Sequence, residues 1–340
     1  MSDIFLIKQG DDIDNEVEAL FKYWRIKGFP NYDRTEYNAH KILSNLIKFD
    51  ENSLWEGNEI RQAMLGCGFL WTYFPHWINV TYNGGTESVA SCWNDDEKLR
   101  ALIKKTYKWQ QKFGRGVFTV NRLRQNAKIY CSKQSVSNFR PTVAKLIYNT
   151  YGNGGKVWDM SGGYGGRLLG FLSSNCTSYT ATDPCTETVD GLNDLYNTYK
   201  DLTDKEVKII KSGSEDYLPE KESLDLCFTS PPYFNTEMYS NENTQSYMKF
   251  DSKQVWLDDF LGKTMQNCWY GLKPDRYMII NIANVSSFKD LEQETIRKAQ
   301  EIGFVLEDTK YMILSSVSGK GKKHEPVFIF KKSLKKFQKK

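Results

Sequence analysis

The sequence predicts an α/β protein: a doubly wound, mostly parallel sheet built by the C-terminal half, with two late strands pairing antiparallel at its edge, preceded by a mostly helical N-terminal domain. Three observations predict it. From residue 135 onward short apolar runs alternate with helical stretches. Glycines crowd the end of the first of those runs. Before residue 130 the apolar residues recur near i, i+3 and i+4 instead.

In the N-terminal domain, residues 1–130, the segments EVEALFKYWRIKGF, EYNAHKILSNLIKF and DEKLRALIKKTYKWQQKF each carry a helical apolar stripe. Residues 64–93 are dense in Trp, Tyr and Phe around the turn signal Asn83-Gly84-Gly85, which fits a hairpin or an irregular aromatic cluster. The second domain, residues 131–331, opens with a helical pattern from Phe139 to Tyr151 that Asn153-Gly154-Gly155 breaks. KVWDM is then a short strand leading into a glycine-rich turn. SYTATD, VKIIKS and SLDLCFTS follow as strands, with LLGFLSS and TETVDGLNDLYNTYK as helices among them. VWLDDFLGKTMQNCWYGL is a helix before the strand RYMIINIANV, and LEQETIRKAQEIG precedes the strands FVLEDTKYMIL and EPVFIFKK. The loop SSVSGKGKKH lets those last two pair antiparallel. Residues 332–340 form a basic tail.

With 340 residues, 40% hydrophobic and 26% charged, the chain holds about two domains' worth of foldable sequence, and collagen-like, coiled-coil and disordered classes are excluded. Its formal charge of +4 hides an asymmetry: residues 320–340 hold nine lysines against the single acid Glu325, on an otherwise slightly acidic body. The start, MSDIFLIKQGDDIDNE, lacks a signal peptide's basic and apolar regions. Pro75, His76 and Asn79 interrupt the closest approach to a membrane span, residues 64–80. Seven cysteines without a C-x-x-C pair, and three scattered histidines, point to neither a disulfide framework nor a metal centre. A reducing, cytoplasmic location without a membrane partner is the expectation.

Chemistry is concentrated in two segments. In Val157-Trp158-Asp159-Met160-Ser161-Gly162-Gly163-Tyr164-Gly165-Gly166, glycines stand where ligands bind beyond the carboxyl end of a strand. No Lys-Ser/Thr follows them, so a Walker A phosphate loop is disfavoured. Asp183 ends the next strand, 20 residues after Gly163, at the spacing of a ribose-binding carboxylate, although it also suits a helix cap. The second segment, Asp225-Leu226-Cys227-Phe228-Thr229-Ser230-Pro231-Pro232-Tyr233-Phe234, closes a later strand with Pro-Pro-Tyr.

That motif resembles the catalytic Asp/Asn/Ser-Pro-Pro-Tyr/Phe of the nucleic-acid amino-methyltransferases, which use S-adenosylmethionine (SAM) to methylate the exocyclic nitrogen of adenine or cytosine. The glycine turn is similar to their Asp-Pro-Phe-x-Gly-x-Gly cofactor motif, with Asp159, Gly163 and Gly165 on the matching positions. Ser135–Thr142 looks like the segment that precedes that motif. The resemblance covers roughly residues 135–331 and implies a Rossmann-like SAM-dependent methyltransferase fold, SAM as cofactor and DNA as partner. Ser230, Pro231, Pro232 and Tyr233 would be catalytic: the Ser230 hydroxyl and the Pro231 carbonyl, stiffened by proline, accept the amine hydrogens and aim the nitrogen. Tyr233 and Phe234 would stack on a flipped-out base. Asn138, Arg140 and Thr142 would hold the methionine end, Arg140 by a charge-assisted pair. Asp159 would fix the glycine loop or meet the cofactor's amino group. Ser161, Gly163 and Gly165 would line the cofactor, Asp183 the ribose, and Ser214 and Glu215 the adenine. No metal is implied.

Met160-Ser161 replaces the usual Pro-Phe, and Gly166-Arg167 follows the second glycine. Ser before Pro-Pro-Tyr is nearer the cytosine-N4 branch than the adenine-N6 branch; RNA bases and a catalytically inactive nucleic-acid-binding subunit are the alternatives, while a protein-glutamine methyltransferase is expected to carry Asn at that position. Without a nuclease motif, a stand-alone or orphan modification enzyme is the expectation, with a separately encoded restriction enzyme as partner in a restriction–modification role, or a mobile-element origin, as the alternatives. Asn235–Lys253 is a polar loop with no long insertion, which leaves the first domain as the target-recognition candidate. Its Lys104, Lys105, Lys108, Lys112, Arg115, Arg122 and Arg124, interleaved with Tyr107, Trp109, Phe113 and Phe118, fit phosphate contacts or a solvated helix face.

Overall fold

The strands and helices follow the sequence pattern closely in the computed structural model, which describes residues 4–6, 12–113, 116–131, 136–314 and 323–333. In chain order the first half forms β1 (Ile4–Leu6), α1 (Ile13–Lys27), α2 (Ala39–Lys48), β2 (Trp55–Glu56), β3 (Glu59–Ile60), α3 (Cys67–Leu70), β4 (Thr81–Tyr82), α4 (Val89–Asn94), α5 (Asp96–Phe113), β5 (Val117–Thr119) and α6 (Val120–Tyr130). Then come α7 (Pro141–Tyr151), β6 (Lys156–Asp159), α8 (Gly166–Leu172), β7 (Ser178–Asp183), α9 (Thr186–Tyr199), β8 (Glu206–Lys211) and β9 (Leu224–Thr229). The chain ends with β10 (Glu237–Met238), α10 (Ser246–Lys249), α11 (Lys253–Val255), a π-helical stretch (Trp256–Gly262), α12 (Lys263–Gly271), β11 (Leu272–Asn281), α13 (Leu291–Ile302), β12 (Val305–Leu314) and β13 (Lys323–Lys331).

Two units result, one within Met1–Glu36, Pro75–Ser137 and Glu237–Ser240, the other within Tyr37–Phe74, Asn138–Thr236 and Asn241–Lys340. The larger unit is built on a nine-stranded sheet of order β2-β3-β12-β13-β11-β9-β6-β7-β8. Its core from β11 through β9, β6 and β7 to β8 is parallel, so the doubly wound Rossmann-like fold is as expected. The two faces alternate with the two-residue strand period. In β9, Phe228 meets Phe139 and Tyr148 on one side. Cys227, one residue earlier, joins Trp158, Met265, Cys268, Met278 and Phe328 in the core on the other.

Three differences from the sequence expectation concern boundaries. The antiparallel strand β13 does pair with β12, but it lies between β12 and β11 rather than at the edge. Val327, Phe328, Ile329 and Phe330 are all buried, and an apolar run without alternation suits an interior strand. Second, residues 37–74 belong to the sheet unit. The two-residue strands β2 and β3 extend it beyond β12, with Glu59 and Ile60 opposite Tyr311 and Met312, and two residues are too few to show a period. Lys145 of α7 secures this segment by donating to the carbonyls of Leu46, Ile47 and Phe49 at the end of α2 and pairing with Glu51 at 2.8 Å. Third, Lys332, assigned to the basic tail, is buried and donates to the Leu272 carbonyl at 2.6 Å. The remaining tail, residues 334–340, lies outside the described residues.

The smaller unit packs α1, α5 and α6 around Trp24, Leu99, Tyr107 and Phe118, with β1 and β5 paired antiparallel. The Asn83-Gly84-Gly85 turn does not close a local hairpin, since β4 pairs with β10 instead. Cys92 and Cys131 form a disulfide, against the expectation of unpaired thiols. At 39 residues apart with no C-x-x-C element, the pair left no local signature, and it removes the support that cysteine usage gave to a reducing compartment. Among the described residues no helix is long and apolar enough to cross a membrane.

Candidate active site

The carboxyl ends of four adjacent strands, β8, β7, β6 and β9, carry most of the residues singled out in the sequence, where open α/β sheets bind ligands. At the end of β6, Asp159 is fully buried. It accepts from Arg167 Nε at 2.9 Å, the Tyr179 hydroxyl at 2.6 Å, the Thr229 hydroxyl at 3.2 Å and the Ser161 N–H at 3.3 Å. Arg167 also donates to the Ser161 carbonyl. Burial, the largest effect, opposes the Arg167 charge, but the Asp159 carboxylate together with the Tyr179 and Tyr148 hydroxyls raises its pKa above the ordinary value. Asp159 thus fixes the glycine loop and ties β6, β7 and β9 together. The unusual Arg167 is its counter-ion, a role that neither motif nor spacing announced.

The loop's glycines divide by what surrounds them. A Cβ on Gly162 would fall 2.7 Å from Leu192, and one on Gly165 2.7 Å from Leu195. At Gly166 it would strike the Phe139 carbonyl. These positions serve the chain's own packing. Gly163 shares a positive φ with Gly165, +56° against +75°, but differs in its surroundings: the nearest atoms to a Cβ there are 3.6 Å away. A ligand can approach the backbone at Gly163.

Asp183, at the end of β7, accepts from Gly163 N–H and Cys185 N–H, each at 3.0 Å. Burial raises its pKa to about 6 against the pull of those two donors. The cap and ligand readings of Asp183 are therefore compatible, since each oxygen keeps a free lone pair. Beyond β8, Ser214 turns away to bond the Thr264 hydroxyl at 2.7 Å. Glu215 is buried, pairs with Lys249 through one oxygen and leaves Oε2 without a partner. In the segment before α7, Asn138 donates to the Tyr164 carbonyl at 2.6 Å, linking it to the glycine loop. Arg140 bonds the Asn138 carbonyl and leaves a buried Nε unpartnered. Thr142 departs from expectation: it is fully buried and donates to the Ala63 carbonyl at 3.2 Å, anchoring the 37–74 segment.

Pro231 and Pro232 end β9 because they have no N–H to donate to a ladder. Ser230 Oγ lies 3.5 Å from the Tyr233 hydroxyl, which donates to the Asn281 carbonyl at 3.3 Å. Tyr233 is half-buried. Phe234, expected as the second stacking wall, has φ +57°. That turn sends its ring into the core against Trp256 and Phe288, so it offers no face to a base. The loop that follows returns to the strand ends. Glu242 accepts from Thr186 N–H at 2.8 Å and its hydroxyl at 2.7 Å, Thr244 donates to the Pro184 carbonyl at 3.1 Å, and Lys249 reaches Asp216 at 2.7 Å.

No family model and no curated protein matches the sequence. Solved structures are similar to it at low identity. A 1,6-didemethyltoxoflavin-N1-methyltransferase of Burkholderia thailandensis, solved with S-adenosylhomocysteine, is 14% identical with a TM-score of 0.40, covering 57% of this chain and 78% of that one. A SAM-dependent O-methyltransferase of Thermotoga maritima is 13% identical, TM-score 0.38, covering 58% and 67%. A SAM-dependent methyltransferase of Methanosarcina mazei is 13% identical, TM-score 0.36, covering 53% and 92%.

Proposed function

We propose that this chain transfers a methyl group from SAM to an exocyclic amino nitrogen of a nucleic-acid base, with cytosine N4 of DNA ahead of adenine N6 and RNA bases. The observation that carries this reading is one juxtaposition. Asp183, backed onto the open Gly163, and Ser230-Pro231-Pro232-Tyr233 stand at the carboxyl ends of β7 and β9, with only β6 between them.

The groups left unsatisfied fit the cofactor. Asp183 can accept from a ribose diol, Glu215 Oε2 from an amino group, and Arg140 Nε can donate to a carboxylate. SAM has all three, and when bound it supplies an electrophilic methyl group on a sulfonium. Ser230 and the Pro231 carbonyl orient the amine, Tyr233 stacks on its ring, and Asp159 with Arg167 keeps the loop between the two subsites rigid.

Since a protonated Asp183 can no longer accept from both ribose hydroxyls, SAM affinity is expected to fall with pH through about 6, weakening about tenfold by pH 5. Calorimetric titration from pH 5 to 8 checks this, and a flat profile rejects the ribose role.

For the nucleic acid, the smaller unit offers stacked cations and rings. Arg122 lies 3.2 Å over Trp109, Lys105 4.4 Å over Tyr130 and Lys112 5.1 Å over Phe113. Other members of the basic stretch are committed elsewhere: Lys104 pairs with Asp14, and Arg124 is buried against Pro30 and Asn31. Arg115 lies outside the described residues. Lys108 and Lys112 are exposed. K108E/K112E is expected to weaken DNA binding severalfold and to flatten the log K against log salt slope by about two. An unchanged slope in anisotropy titrations returns this face to solvent.

The reading as a whole is tested by incubating the protein with labelled SAM and DNA or RNA, digesting to nucleosides and identifying the labelled species by mass. No SAM binding with nucleic acid present rejects the enzyme and leaves a binding subunit.

A further inference from the structure

Charge in the smaller unit is segregated along the chain. No Asp or Glu stands between Glu97 and Asp159, while residues 98–137 hold eleven lysines and arginines. Lys98, Arg100 and Lys104 are neutralised by Glu87, Glu18 and Asp14. The next cations of α5 meet rings instead. Lys105, Lys108, Trp109, Lys112 and Phe113 recur at i, i+3, i+4, i+7 and i+8, a stripe apart from the buried one of Leu99, Ile103 and Tyr107. It runs about 12 Å along the helix. From α6, Arg122 lies 3.2 Å over the Trp109 ring, and Tyr130 receives Lys105 at 4.4 Å. The two helices are fixed against each other: Asn126 donates to the Thr106 hydroxyl at 2.9 Å and Gln110 to the Thr119 hydroxyl at 3.0 Å. The array is therefore set by helix packing.

Two of its rings stand open to solvent, Phe113 at 61% and Tyr130 at 49% exposure. A duplex would engage the cations, but its bases stack on one another and present only their edges in the grooves, so the exposed rings would gain nothing. A membrane surface takes rings that dip into the acyl boundary with cations held clear of them, whereas here Lys112 sits 5.1 Å over Phe113 and Lys105 over Tyr130. An unpaired strand uses both kinds of group at once. Its phosphates meet the ammonium groups, and its bases stack on open ring faces and on the outer plane of the Arg122 guanidinium.

Resting on the nucleic-acid reading above, we propose that the α5–α6 face binds single-stranded DNA, so that the substrate of this chain is an unpaired strand rather than a duplex. A base in such a strand is already free of its partner and enters an active site without the cost of unpairing.

Anisotropy titrations of a labelled oligonucleotide of about 20 nucleotides, single or annealed to its complement and without SAM, test this. The single strand is expected to bind at least about tenfold tighter than the duplex. Phe113→Ala combined with Tyr130→Ala, whose fold circular dichroism checks, should weaken the single strand about tenfold or more. Duplex affinity should stay within about twofold, and the salt slope for the single strand should not move, because no phosphate contact is removed. A duplex bound as tightly as the single strand, or a double variant with unchanged single-strand affinity, overturns the proposal. So does an RNA strand of the same sequence bound more than about tenfold tighter than the DNA. Binding to anionic vesicles or self-association in sedimentation that the double variant loses, with strand binding intact, gives the face to a membrane or a second copy instead. A chain that prefers the single strand but methylates no base rejects the enzyme and leaves this face standing, whereas an active enzyme that prefers duplex rejects the single strand alone.

Discussion

Replacing Arg167 by methionine is expected to destabilise the sheet unit by about 3–5 kcal/mol, the range found when one member of a buried ion pair is removed. Asp159 is fully buried and Arg167 almost so. Methionine fills much of the space but leaves a carboxylate supported only by the Tyr179 and Thr229 hydroxyls and one backbone N–H. Because those donors come from β7, β9 and the glycine loop, the loss should appear as cooperative unfolding of the whole unit rather than local fraying. Arg167→Met combined with Asp159→Asn removes both charges, so the double variant should lose markedly less than R167M alone. Denaturant unfolding followed by circular dichroism measures both. Equal losses in the two variants would mean that the charge pair is not what holds the loop.

Much of this site was legible in the sequence because its parts sit where chain geometry leaves a signature. The glycine crowding after KVWD, the acid 20 residues on and Pro-Pro at a strand end each follow from backbone constraints that only certain residues meet. What stayed hidden was decided by tertiary contact. Thr142 lies on the expected helix, yet its hydroxyl turns to Ala63, a residue that only the sheet unit's long-range packing brings near. Arg167 follows the second glycine with nothing in the motif or the spacing to show that Asp159 lies beneath it. Phe234 follows Tyr233 directly, but a single positive φ sends the two rings to opposite fates.

Tyr233→Ala is expected to cut turnover at least about a hundredfold while SAM affinity changes less than about threefold. The ring is half-buried against the core that holds Phe234 and Trp256, so one face is fixed by packing and preorganised for a base, and stacking of this kind is worth about 1–3 kcal/mol. Its hydroxyl does separate work, lying between Ser230 and Asn281. Tyr233→Phe isolates that part: it keeps the ring and should retain nucleic-acid KM while losing kcat, whereas the alanine variant should lose both. Phe234→Ala supplies the contrast. That ring packs against Trp256 and Phe288, so its removal should cost about 3–5 kcal/mol of stability, with little change in KM for the fraction that remains folded. If Y233A instead abolishes SAM binding, the tyrosine belongs to the cofactor subsite, and the division of labour between β7 and β9 has to be redrawn.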